Sequence, residues 1–124
     1  MSSILIVDDN RMNRLLLSRG VEQMGHKVSF AEHGKQAFEM IQANPYELIL
    51  LDVEMPEMDG FQFAESLRAD PRTAGLPVIA LCSTASPEAV ERGRRVGFYD
   101  YVAKFDRQGL IAALKEQADI GHAA

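Results

Sequence analysis

Leu48-Ile49-Leu50-Leu51-Asp52 is a wholly apolar run that stops on an acid. Four large aliphatic side chains in succession leave no polar face, and the run is too short for a buried helix. It reads as a strand covered on both sides. Ile4-Leu5-Ile6-Val7 has the same character and ends on Asp8-Asp9. Val78-Ile79-Ala80-Leu81 follows Pro77, an allowed place for proline in a strand, and runs into Cys82-Ser83-Thr84. Val28-Ser29-Phe30 and Tyr99-Asp100-Tyr101-Val102-Ala103 supply two more strands, the last ending at Lys104.

Helical patterns fill the intervals. Met12, Leu15, Leu16, Val21 and Met24 fall near a helical period, with Asn10 as a cap and Gly25 just past the end. Ala37, Phe38 and Ile41 mark a second helix, stopped by Asn44-Pro45. Asp59-Gly60-Phe61-Gln62 has the form of a capping box before Phe63, Ala64 and Leu67. Ser86-Pro87-Glu88 is a helix start with Val90, Gly93 and Val96 on one stripe and Gly97 as the stop. Asp106 caps a last helix bearing Leu110, Ile111 and Leu114. Five strands alternating with five helices predict an α/β fold, a doubly wound parallel sheet with right-handed crossovers.

The remaining composition bounds the function. A chain of 124 residues, 47% hydrophobic and 25% charged, fits one soluble domain. Its net charge of −5 argues against nucleic-acid binding. The single cysteine, Cys82, has no internal partner, so a reducing cytoplasm is the expected location. No apolar run approaches the roughly 18 residues that span a bilayer, so no membrane association is expected. Residues 119–124 are expected to fray as a tail. His26, His33 and His122 show no ligand spacing and read as surface residues.

In a sheet of this kind the working crevice lies beyond the carboxyl ends of the strands. Asp8, Asp9, Asp52, the Cys82-Ser83 pair and Lys104 all stand at such ends. Each alone has a plain explanation: capping for Asp8-Asp9, a turn for Asp52, a solvated surface charge for Lys104. Together on one edge they suggest chemistry. Clustered carboxylates need a proton or a cation between them, and an all-oxygen set favours Mg²⁺. With the charge offset, an Asp52 oxygen can attack a phosphoryl group and Lys104 can hold its oxygens.

These residues carry a resemblance. Ile4 to Asn10, Leu51-Asp52-Val53-Glu54-Met55-Pro56-Glu57-Met58-Asp59-Gly60, Pro77 to Leu81, and Gly97 to Lys104 together resemble the receiver domain of two-component response regulators, the CheY-like superfamily. The resemblance covers essentially the whole chain and gives residues 1–118 as the receiver. It implies strand order 2-1-3-4-5, the order of a flavodoxin-like fold that this superfamily exemplifies. It implies Asp52 as phosphoacceptor and Mg²⁺ held by Asp8, Asp9, Asp52 and a Glu54 backbone carbonyl. The Glu54 side chain would lie over the acceptor, where the family tunes the lifetime of the phosphoryl group. Lys104 would be the matching lysine and Tyr101 the aromatic switch that turns inward on phosphorylation. The implied partner is a histidine kinase, in trans or fused. Glu91 to Phe98 and Lys104 to Arg107 further resemble receivers fused to chemotaxis histidine kinases.

Two departures stand out. The family usually has Thr or Ser where this chain has Cys82, and a thiol is a weak donor. Ser83 is next door, but neighbours on a strand point to opposite faces. Where most receivers have Lys-Pro with a cis peptide, this chain has Lys104-Phe105. A cis bond there costs about 2.5–4 kcal/mol, so a trans bond is expected. Arg92, Arg94 and Arg95 form either a solvated helix face or part of a docking face. A degenerate receiver that binds partners without switching is the second reading. A small metal-dependent phosphatase using Asp52 and Glu54 is the third, although that chemistry calls for an aspartate where Glu54 stands.

Overall fold

The computed structural model describes residues 3–55, 59–83, 86–104 and 106–123, with side chains through Gln117. The elements run β1 (Ser3–Val7), α1 (Arg11–Gln23), β2 (Lys27–Ala31), α2 (Gly34–Ala43), β3 (Leu48–Asp52), α3 (Gly60–Ala69), β4 (Val78–Cys82), α4 (Pro87–Arg95), β5 (Asp100–Ala103) and α5 (Arg107–Ala123). The strands form one parallel sheet in the order β2-β1-β3-β4-β5.

The unbroken apolar runs are divided by the strand period. Leu5, Val7, Ile49, Leu51, Val78, Ala80 and Cys82 face one core, with Phe61, Phe63 and Leu67 of α3. Ile4, Ile6, Leu48, Leu50, Ile79, Leu81 and Val102 face the other, with Val21 of α1 and Leu114 of α5. Every residue of β3 and β4 is buried, so both faces need apolar side chains.

Side chains fix where the helices begin. Asn10, Asp59, Ser86 and Asp106 each accept a backbone N–H from the first turn that follows. His33 does the same for α2, its Nδ1 accepting from the Gln36 amide at 3.1 Å, so it is a cap rather than an idle surface residue. Gly25 and Gly97 follow α1 and α4 at φ of 90° and 86°, a conformation that L side chains rarely adopt.

Met12, Leu15, Leu16 and Val21 lie in α1 as their period predicts, but not on one face: the first three are 63%, 44% and 52% exposed, while Val21 is buried. At about 100° per residue, Val21 lies on the opposite side of the helix from Met12. The last helix, α5, runs on through Ala123. The stretch Ala112-Ala113-Leu114-Lys115-Glu116-Gln117-Ala118 is made of strong helix formers and gives α5 no reason to stop sooner. Phe105 and the bond before it, together with Pro56 to Met58 and Thr84, lie outside the described residues. Among the described residues no helix is long and apolar enough to cross a membrane.

Candidate functional site

The strand period decides which side chains meet at the carboxyl edge. Ile4 and Ile6 lead to Asp8, Leu48 and Leu50 to Asp52, Ile79 and Leu81 to Ser83, and Val102 to Lys104. Val7 pairs with Leu51 in the β1–β3 register, so Asp8 and Asp52 come level one step later. Asp8 is 1% and Asp52 2% exposed, whereas Asp9 lies open at the rim.

Carboxylate oxygens of Asp8, Asp9 and Asp52 lie within 4.8 Å of one another. Local backbone holds them. Asp8 Oδ1 accepts the Asn10 amide at 2.9 Å, and Asp52 Oδ1 accepts the Glu54 amide at 2.9 Å. Arg14 Nη1 donates to the Asp8 carbonyl at 2.8 Å and so secures the loop rather than neutralising the acids. Burial raises the Asp8 carboxyl from its ordinary 3.8 to about 6, against the Asn10 amide, and the charges of Asp52 and Asp9 add to the rise. A buried carboxyl made this reluctant to ionise, beside two further acids, is a donor set suited to a hard divalent cation.

Across from the acids stands Lys104. Its Nζ lies 3.1 Å from Asp52 Oδ1 and 3.6 Å from Glu54 Oε1. Partial burial lowers its affinity for a proton, but the neighbouring Asp52 and Glu54 outweigh that and hold its pKa above the ordinary value. The Lys104 amide donates to the Cys82 carbonyl at 2.6 Å, tying the lysine to the end of β4. Glu54 Oε1 accepts both the backbone amide and, at 2.8 Å, the hydroxyl of Ser83. Burial raises the Glu54 carboxyl, but Ser83 and then Lys104 overcome this and keep it below the usual range.

Cys82 and Tyr101 belong to a different layer. The Cys82 thiol donates to the Val102 carbonyl at 3.6 Å and sits in the core beneath α3. The Tyr101 hydroxyl interacts with that thiol, and burial first, then Cys82, pushes the hydroxyl's pKa well up. The Tyr101 ring stacks on Phe61 at 6.3 Å and tilts against Phe98 at 6.2 Å. Gly93 of α4 permits this, because a Cβ there would stand 2.9 Å from the Phe98 ring. Arg92 lies over Phe61 at 3.9 Å and pairs with Asp59 at 3.5 Å. Asp8, Asp9, Asp52, Glu54, Ser83 and Lys104 therefore meet in one pocket, with Cys82 and Tyr101 beneath it. The expectation that Cys82 faces the pocket and Ser83 points away is reversed: Ser83 shares the parity of Leu81 and reaches Glu54, and Cys82 turns into the core.

Residues 4–115 match the response regulator receiver domain family. The chain belongs to that family. This receiver domain is 43% identical over 101 residues to a gliding motility regulatory protein of Myxococcus xanthus, covering 82% of the chain and 13% of that protein. It is 34% identical over 114 residues to a probable chemotaxis protein CheY of Rhizobium etli, covering 90% of the chain and 88% of that protein. The crystallised chemotaxis response regulator CheY4 of Vibrio cholerae superposes with a TM-score of 0.86 at 30% identity, over 94% of this chain and 98% of that one. The receiver spans only 8–23% of several longer relatives, sensor histidine kinases among them.

Proposed function

We propose that this receiver accepts a phosphoryl group on Asp52 from a phosphorylated histidine of a partner kinase, with Mg²⁺ held by Asp8, Asp9, Asp52 and the Glu54 backbone carbonyl. The observation that carries the reading is Lys104 Nζ at 3.1 Å from Asp52 Oδ1, opposite three acids whose oxygens gather within 4.8 Å. Bound Mg²⁺ would supply charge neutralisation for the incoming phosphoryl oxygens. Asp52 supplies the nucleophilic oxygen. Its new bond to phosphorus forms as the phosphorus–nitrogen bond breaks, and the histidine nitrogen keeps the bonding pair. Lys104 holds charge on the transferring oxygens. The domain thus acts as a phosphoacceptor in a relay rather than as an enzyme turning over an external substrate.

Exposed Met12, Leu15 and Leu16 stand on the first turns of α1 beside this rim and offer the kinase an apolar contact. The names of the gliding motility and chemotaxis relatives support a place in motility signalling, at the cytoplasmic side where such kinases work. Cys82 favours weak coupling to Tyr101 as a second element of the reading, since its thiol is spent on Val102 within the core.

Incubation with Mg²⁺ and acetyl phosphate is expected to add the mass of one phosphoryl group, and Asp52→Asn to lose that addition. An unchanged intact mass for the wild-type chain overturns the reading.

A further inference from the structure

The donors best placed to receive a phosphoryl oxygen already serve a carboxylate. Glu54 Oε1 takes the Ser83 amide and the Ser83 hydroxyl, and lies 3.6 Å from the Lys104 ammonium. Ser83 has one backbone N–H and one hydroxyl proton to give. A phosphoryl group on Asp52 brings three acceptor oxygens and a charge of about −1.5 to −2 against the same ammonium. Glu54 takes both of the Ser83 donors, so a phosphoryl oxygen can have either one only if Glu54 gives it up, and two anions crowded on one lysine repel. The Glu54 side chain is 41% exposed, whereas Asp52 is buried, so Glu54 is the group that can turn out to water.

We propose that Glu54 is an internal competing anion: its carboxylate fills the place of a phosphoryl oxygen by holding Ser83 and Lys104, and anion binding at Asp52 requires it to leave. This rests on Asp52 being the acceptor, and it gives Glu54 a role distinct from its backbone contribution to the metal. The consequence is a threshold. The closed pocket holds its own carboxylate until a phosphoryl group outcompetes it, so the ease of phosphorylation depends on the Glu54–Ser83 contact as well as on the acceptor.

Titration of the full chain with beryllium fluoride in saturating Mg²⁺, followed by calorimetry and by the Ser83 amide resonance, tests this. Glu54→Ala is expected to bind the analogue about tenfold more tightly than wild type, the scale of one charge-assisted hydrogen bond released. Glu54→Gln, which keeps a neutral acceptor, is expected to fall between them. In the unliganded state the Ser83 amide proton should move upfield in Glu54→Ala, while the bound-state shifts of the two proteins converge. Equal or weaker binding by Glu54→Ala overturns the proposal. So does equal tightening by Ala and Gln, which would mean plain charge repulsion without competition for donors. Either result leaves Asp52 as acceptor intact, provided that Asp52→Asn fails to bind. Absence of binding in wild type and in both Glu54 variants overturns the acceptor reading and the competition with it.

Discussion

The two halves of the pocket answer their charge in opposite ways. On the acid side, Asp8 is buried among like charges and its carboxyl is pushed up to about 6. On the basic side, Lys104 is held above its ordinary pKa and Glu54 below its own, because each finds partners there. Three carboxylates on the acid side share the one ammonium of Lys104, which pairs with Asp52 at 3.1 Å, whereas on the basic side that ammonium and Ser83 already hold the Glu54 carboxylate. On the reading proposed above, a cation would join the first without displacing a side chain, whereas an anion entering the second would displace Glu54. Binding of a metal and of a phosphoryl group would then differ in kind, although their residues stand a few ångströms apart.

The largest test of that contrast removes the ammonium. Lys104→Ala is expected to slow phosphorylation by acetyl phosphate by on the order of 10²–10³-fold, the usual loss for one transition-state donor. Mg²⁺ should bind at least as tightly, since Asp52 loses the ammonium paired with it at 3.1 Å. Phosphorylation at close to the wild-type rate would remove the distinction between the halves. A smaller effect probes the acid side through pH. Because the folded pKa of Asp8 exceeds its ordinary 3.8, the folded chain binds more protons between that value and about 6. Metal-free stability contributed by this group is therefore complete below pH 4 and is lost as pH rises through 6, on the order of 3 kcal/mol. Added Mg²⁺ should raise the thermal midpoint more at pH 7.5 than at pH 4.5, and Asp8→Asn should flatten the metal-free profile. A midpoint that rises with pH across this window without metal contradicts the sign.

How far the sequence foretells this arrangement depends on the element. The apolar runs predict β1, β3 and β4, because strands buried on both faces tolerate little else. Asn10, Asp59, Ser86 and Asp106 predict helix starts through cap chemistry that is local. The α1 face misleads, since Met12, Leu15 and Leu16 are apolar yet exposed, and helical spacing cannot say which side the sheet occupies. The Asp8, Asp52 and Lys104 juxtaposition is legible once strand ends are aligned. The Ser83–Glu54 contact is not, because it joins two loop side chains whose reach no period encodes. Parity indicates that Ser83 turns toward the pocket but not which anion it meets.

The smallest expected effect concerns the layer beneath. Parity sends Cys82 to the core shared with α3, where its thiol donates to the Val102 carbonyl and Tyr101 packs against the same cluster. Burial raises the thiol's pKa, so it stays protonated and donates weakly over a long bond. Cys82→Thr exchanges that thiol for a hydroxyl, a stronger donor, at a cost or gain in stability of under about 1 kcal/mol. Its consequence should fall on Tyr101, whose hydroxyl shares the Cys82 environment and whose ring is packed by Phe61 and Phe98. Tyr101 ring resonances are expected to move further on adding beryllium fluoride and Mg²⁺ in Cys82→Thr than in the wild type. Identical shifts in the two proteins would mean that the layer beneath the pocket does not sense Cys82 chemistry, and the weak coupling assigned to the thiol would have to be abandoned.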